Sequence, residues 1–374
     1  MNFNHILLAA LALISACQQK PEGGEEKQDP IPAVPTPAFA KGADVSWVSE
    51  MEKDGKQFRT ADGKTADIFD VLKEKGVNAV RLRVWVNPDG GWSGKDDVVK
   101  LGVRAARAGL ALMVDFHYSD FFADPSRQKI PAAWEADKND LAKMAAHVSD
   151  HTKEVLTALK DAGVTPAWIQ VGNETRNGML WPAGQLWTSA GNLPGGRANF
   201  TRLYNAGYDA AKSVFPGAAV MPHLNNAYED NAWWFGQMKA EGAKFDAIAL
   251  SHYPQAESRF DWQQYNAMAL AQIKALAAEF SVPVYVSEVG VKTTANEILA
   301  AQVLSEFMKG VKALDKCKGV FYWEPEVYGR WKPAIYGDPQ AIYRHTGKSE
   351  TWNAYDMGAF LSDGSASSVM DAFK

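Results

Sequence analysis

Eight short apolar runs, each of strand length and each separated from the next by a longer segment, constrain this chain more than any other feature. They occupy residues 42–47, 79–85, 111–117, 167–174, 219–224, 247–253, 284–288 and 320–324. Segments between them, such as 140–162 and 265–280, carry Ala, Leu, Lys and Glu at helical spacing without an internal proline, so they read as helices. Strand and helix in strict alternation are the mark of repeated βα units on a parallel sheet. Eight such units close on themselves, which predicts a single (β/α)8 TIM barrel over residues 41–374, α/β in class. Loops elaborated on such a barrel account for 374 residues without a second domain.

The chain ahead of the barrel has a different character. Residues 6–14 are apolar but too short to cross a bilayer as a helix, and they end in Ile14-Ser15-Ala16-Cys17. That ending resembles a bacterial lipoprotein signal, with residues 1–16 removed and Cys17 carrying the lipid. Residues 17–40 then turn polar and proline-rich, which reads as a tether. The expectation is an exported lipoprotein anchored to a membrane through Cys17, at the outer membrane or cell surface, and monomeric. Cys317 is the one remaining cysteine, so the mature domain has no disulfide framework.

A net charge of −5 without any Lys/Arg run argues against nucleic acid as a partner and suits a neutral substrate. Thirteen tryptophans point the same way, because indole offers a broad flat face to the C–H groups of a sugar ring.

Polar and aromatic residues gather where the predicted strands end: Asp44, Arg83 and Trp85, His117 and Tyr118, Asn173 and Glu174, His252 and Tyr253, Glu288, then Trp323 and Glu324. The C-terminal ends of barrel strands form the active-site face. Retaining glycoside hydrolysis needs two carboxyl groups about 5–5.5 Å apart, one protonating the leaving oxygen and one attacking the anomeric carbon. Strands four and seven lie across the barrel mouth from each other, so Glu174 and Glu288 are the candidate acid/base and nucleophile. Arg83 is expected to hold Glu288 ionised. Trp85, Trp134, Trp181 and Trp331 are candidates for stacking on sugars, whereas Trp233 and Trp234 read as structural. His117, His223 and His252 could be taken for a zinc cluster, but histidines at strand ends more often bind hydroxyls or carboxylates; no metal or other cofactor is expected.

The segments GADVSW, VRLRVWVNP, VDFHYSDFFADP, VGNET followed by GMLWPAG, SHYP, SEVG and FYWEPE resemble glycoside hydrolase family 53, the endo-β-1,4-galactanases, from about residue 41 to the C-terminus. The resemblance implies Glu174 as acid/base, Glu288 as nucleophile and β-1,4-galactan, found in pectin side chains, as substrate. It also implies that Asn173 bonds the sugar 2-hydroxyl, that Arg83 and Trp323 are the strand-two arginine and strand-eight tryptophan, and that Tyr253 rather than His252 touches the nucleophile. Trp181 falls in the family's LWP element. Phe121-Phe122 stands where a tryptophan is common, and residues 289–297 are short and poor in carboxylates where some bacterial members bind calcium. The alternatives are another clan A polysaccharide hydrolase (a mannanase, xylanase or glucanase) and a surface protein that only captures glycan.

Overall fold

The computed structural model of the protein describes residues 30–255, 258–349 and 356–374. The expected signal sequence, Cys17 and most of the expected tether lie outside the described residues. Ile31 to Lys374 form one compact unit. The tether was expected to run to Ala40, but Ile31, Val34 and Phe39 pack against the core. The stretch after Pro30 is therefore part of the barrel domain. Among the described residues, no helix is long and apolar enough to cross a membrane.

All eight expected strands form, in parallel and in chain order around the barrel: β1 (Ala40–Asp44), β2 (Ala79–Val84), β3 (Ala111–Phe116), β4 (Trp168–Val171), β5 (Ala219–Met221, continued as His223–Leu224), β6 (Ile248–His252), β7 (Val284–Val289) and β8 (Cys317–Trp323). β1 pairs with both β8 and β2. Closure on the far side runs through β5, which is broken at Pro222. The residues before it pair with β4 and those after it with β6, because proline brings no N–H to a ladder.

Nine helices surround the sheet among the described residues: α1 (Val48–Lys53), α2 (Ile68–Glu74), α3 (Lys95–Arg107), α4 (Leu141–Asp161), α5 (Gly196–Val214), α6 (Ala232–Ala240), α7 (Trp262–Phe280), α8 (Glu297–Lys312) and α9 (Pro339–Thr346). In α4 the Asp140 side chain accepts from the Ala142 and Lys143 amides, a cap worth about 1 kcal/mol. Met144, Val148, Val155 and Leu159 recur at helical spacing and are buried. α7 opens with a reciprocal box between Asp261 and Gln264.

Strand side chains alternate between two environments. Val80, Leu82 and Val84 of β2, and Leu112, Val114 and Phe116 of β3, face outward into the core shared with the helices. Ala79, Met113, Trp168, Met221, Ala249, Tyr285 and Phe321 belong to a second apolar cluster that plugs the lower barrel. The inward positions beyond that plug are Asp44, Arg81, Asp115, Gln170, His223, Ser251 and Glu288, every one of them buried. Buried polar side chains at this density must satisfy one another.

Candidate active site

Glu174 leaves β4 through a tight turn in which Gly172 takes φ 81° and Glu174 itself φ 48°. A Cβ on Gly172 would lie 2.5 Å from the Thr175 methyl, so glycine is required there. Glu288 is placed by a different device. Leu250 pairs with Val286 but Ser251 pairs with Glu288, so β7 carries one extra residue against β6, and its pairing with β8 shifts over the same stretch. Tyr285 faces into the barrel and Val286 outward. Simple alternation would turn residue 288 toward the helices; the bulge returns it to the barrel interior.

The two glutamates meet. Carboxylate oxygens of Glu174 and Glu288 and a ring nitrogen of His223 lie within 4.8 Å of one another. Ser251 sits between the acids, its Oγ 2.7 Å from Glu174 Oε1 and 3.4 Å from Glu288 Oε2. His223 Nε2 is 2.8 Å from the same Oγ, and its Nδ1 lies 2.9 Å from Asn173 Oδ1. Both ring nitrogens are thus engaged, which makes His223 a brace for the acids rather than an open ligand. Burial, reinforced by Arg81, holds its pKa well below the ordinary histidine range, so the ring is neutral. Of the three histidines weighed as a cluster, only His223 stands beside the acids.

Glu288 is held by Arg81, at 2.9 Å, and by the Tyr253 hydroxyl, which donates to Oε2 at 2.7 Å. Gly290 makes room for the tyrosine: a Cβ there would fall 2.8 Å from the Tyr253 ring. The arginine expected in this role was Arg83, and that expectation is corrected. Arg81 and Arg83 both point inward from β2, two residues apart, and Arg81 is the one level with Asp44, its register partner on β1. Arg83 lies one layer higher, where it pairs with Glu324 at 2.6 Å and rests over the Trp47 ring at 4.2 Å.

Arg81 faces three carboxylates, Asp44, Asp115 and Glu288. Burial works against its charge, but these neighbours overcome it and raise its pKa. Burial would likewise raise Asp115, yet Arg81 and His117 hold it below the usual carboxylate range. Glu288 is raised, chiefly by burial, against the opposing pull of Arg81 and the Tyr253 hydrogen bond. Glu174 is raised by burial and then by the charge of Glu288; the Ser251 hydrogen bond and the charge of Arg81 offset only part of this rise, and the salt bridge of Arg81 is to Glu288. The environments of the two acids are therefore asymmetric: Glu288 is ion-paired to Arg81, and Glu174 is hydrogen-bonded to Ser251.

These groups open into a cleft of about 500 Å³. Of the residues singled out in the sequence, Asp44, Arg83, His117, Asn173, Glu174, Tyr253, Glu288 and Trp323 all line it. His117 accepts from the Ala123 amide through Nδ1, which leaves its Nε2 hydrogen for Asp115 at 2.9 Å. Asn173 donates to the Ala123 carbonyl and accepts from Arg81.

Six residues expected at the substrate lie away from this cleft. Tyr118 is buried, stacked on Phe116 and bonded to Thr152; the chain turns at His117, and Tyr118 (φ 52°) faces the helix layer. His252 alternates outward from Ser251 and Tyr253, against Asn266 and Phe307. Trp85 is buried among Trp47, Phe121 and Phe122. Trp181 bonds the Asn177 carbonyl and is not part of the cleft wall. Trp134, stacked on His147, and Trp331, bonded to Asp54, are buried loop packing as well. The residues that sequence reasoning missed, Arg81, Asp115, Gln170 and Ser251, are the inward members of their strands. Period-two alternation counted back from Arg83, His117 and Tyr253 would have found Arg81, Asp115 and Ser251. Phe122, Tyr336, Lys292 and Gln255 come to the cleft from loops, where no periodicity points to them.

The family model for glycosyl hydrolase family 53 matches residues 40–373. An arabinogalactan endo-β-1,4-galactanase of Cellvibrio japonicus is 34% identical over 315 residues, 77% of this chain and 80% of that protein. A probable arabinogalactan endo-β-1,4-galactanase A of Neosartorya fischeri is 35% identical over 223 residues, but the aligned part is 57% of this chain and only 60% of the fungal protein. A solved structure of a fungal β-1,4-galactanase superposes with a TM-score of 0.73 at 26% identity, covering 89% of this chain and 98% of the other. With the model matched across the whole barrel and relatives at this level of identity, the chain belongs to glycosyl hydrolase family 53.

Proposed function

We propose that the protein is an endo-β-1,4-galactanase that cleaves β-1,4-galactan with retention of anomeric configuration. The observation that carries this reading is the pair Glu174–Glu288, with oxygens within 4.8 Å of each other across one cleft. That separation favours double displacement, since an inverting pair stands wider apart to admit a water. The names of the C. japonicus and fungal relatives supply the polymer.

The asymmetry of the two acids assigns their roles. Glu174, raised by burial and by the neighbouring charge, keeps a proton at neutral pH to give to the leaving oxygen. Glu288, bound by Arg81 and Tyr253, is the acid more readily ionised and attacks the anomeric carbon. The new Glu288–carbon bond removes the negative charge that held up Glu174, so Glu174 becomes the stronger acid as the leaving oxygen departs with its proton. In the second half, ionised Glu174 takes a proton from water, water attacks the anomeric carbon, and the Glu288 carboxylate leaves. Asn173 gives one Nδ2 hydrogen to Ala123 and has a second to offer a sugar hydroxyl. Trp323 supplies an apolar wall.

Export as a lipid-anchored enzyme, suggested by Ile14-Ser15-Ala16-Cys17, fits a polymeric substrate that cannot enter a cell. Digestion of linear galactan beside mannan, xylan and β-glucan tests the activity. A ladder of galacto-oligosaccharides from galactan alone is expected, and cleavage of another polymer in preference to galactan would overturn the assignment.

A further inference from the structure

The adjacent tryptophans of α6 part company in the structure. Trp234 is buried, edge-on to Phe200, and donates to the Arg176 carbonyl. Trp233 is 41% exposed, one of four large apolar side chains so placed among the described residues. It does not stand alone. Trp187 lies 6.4 Å away, its ring inclined at 47°, and the two flank a hollow of about 230 Å³ that shares no residue with the catalytic cleft.

Both residues are anchored at the backbone. Trp187 sits on a short hairpin in the loop after β4, paired with Asn192. Its backbone is clamped from both sides by Asn177, which accepts from its N–H at 2.9 Å and donates to its C=O at 3.1 Å. Trp233 is fixed through its neighbour, whose indole bonds the Arg176 carbonyl at 2.9 Å. Arg176 and Asn177 follow Glu174 by two and three residues. Both residues are thus tied, through Asn177 and Arg176, to the segment that carries one of the reacting acids. A preorganised aromatic surface loses little freedom when it binds, which is where affinity is gained.

The fringe of the hollow selects the ligand. Arg197 reaches Gln237 at 3.2 Å and Glu241 at 3.5 Å, so its charge is answered locally and the site is not an anion trap. Indole faces bordered by the amides of Asn192 and Gln237 and by an arginine and a glutamate that pair with each other suit a polyol, with apolar C–H faces and hydroxyl edges. The inclination of the rings suits a chain that turns from one sugar to the next, as a β-1,4-linked galactose chain does at its axial 4-oxygen.

We propose that Trp187 and Trp233 form a second carbohydrate-binding platform, on which another part of the polymer undergoing cleavage stacks outside the catalytic cleft. The proposal rests on the galactanase reading. Occupation of both places by one chain raises the local concentration of cleavable bonds without any new contact in the cleft.

The test uses Glu288→Gln protein, which cannot turn over, run in native gels containing increasing linear galactan. Adding Trp233→Ala, and separately Trp187→Ala, is expected to weaken retardation by about tenfold. In the otherwise wild-type enzyme the same changes are expected to slow hydrolysis of long galactan while leaving a short galacto-oligosaccharide within about twofold. Unchanged retardation in both variants overturns the platform. Equal losses on long and short substrates overturn it too, because they mark damage to the cleft. Wild-type digestion of the same galactan separates the two levels of failure. Cut polymer with unaffected retardation removes only the platform, and uncut polymer removes the galactanase reading and the platform with it.

Discussion

Replacing Tyr253 with Phe removes one oxygen and leaves the ring that Gly290 accommodates. The lost hydroxyl donates to Glu288 Oε2 at 2.7 Å inside the barrel. A hydrogen bond to a charged buried acceptor contributes about 1.5–3 kcal/mol. It favours the ionised form of Glu288, together with Arg81, against the burial that raises this acid. Without it, Glu288 holds its proton to higher pH, and on the acid flank of the profile kcat/KM of Tyr253→Phe falls by about 10- to 150-fold. Near the optimum the loss is far smaller, because Glu288 is ionised there in both enzymes and the charge it sheds during attack no longer needs the donor. The alkaline flank follows Glu174, which Tyr253 does not hydrogen-bond, and moves less. The assay is kcat/KM for a soluble galacto-oligosaccharide across the pH range, with far-UV circular dichroism at each end. An acid flank that stays in place while the alkaline flank shifts would refute the assignment of Glu288 as the group that must be ionised.

Ser251→Ala should move the opposite flank. The Ser251 hydrogen bond opposes the rise in Glu174, so its removal lets Glu174 keep its proton to still higher pH and raises activity on the alkaline flank, relative to the optimum, by about 2- to 10-fold; a downward shift of that flank would contradict this. Arg81→Met leaves Asp44, Asp115 and Glu288 without their shared cation and should cost about 3–5 kcal/mol in urea unfolding. Arg83→Met should leave the acid flank of activity in place, which separates the two arginines. Glu326 is buried beside Glu324 and Asp44, and its pKa is raised well above normal by burial and then by Glu324. A carboxyl raised in the folded state makes stability fall as pH climbs past the unfolded value near 4, since the native form then binds more protons than the unfolded form. Glu326→Gln should therefore melt above the wild type at neutral pH, with the advantage vanishing as pH falls toward about 4; a pH-independent difference would show that folding does not raise the Glu326 pKa.

How far the sequence discloses the molecule depends on the kind of signal each feature leaves. The strands and their alternation with helices are written in hydrophobic runs, and the barrel follows. Glu174 and Glu288 are legible because they end strands four and seven. The orientation of Glu288 is not, because the bulge at 287–288 exists only in the pairing with β6 and β8. Arg83 displaced Arg81 in the reading because both face inward and only the layer differs, and a layer is set by register across strands. His252 was open to correction from sequence alone, since it alternates with Ser251 and Tyr253. The tryptophans resist such reading. Trp134 and Trp331 sit in loops yet are buried, while Trp233 sits in a helix yet is exposed. Loop packing and helix orientation, rather than residue type, decide which indoles meet solvent.

The claim on which the rest depends is that Glu288 forms a bond to the sugar. An activated 2-deoxy-2-fluoro-β-galactoside of suitable length slows release of the sugar from the enzyme, and proteolysis followed by mass spectrometry then locates any adduct. One sugar bound to the peptide containing Glu288, and to that side chain, is the predicted result. An adduct on another residue, or none while hydrolysis yields sugar of inverted configuration, would contradict the account.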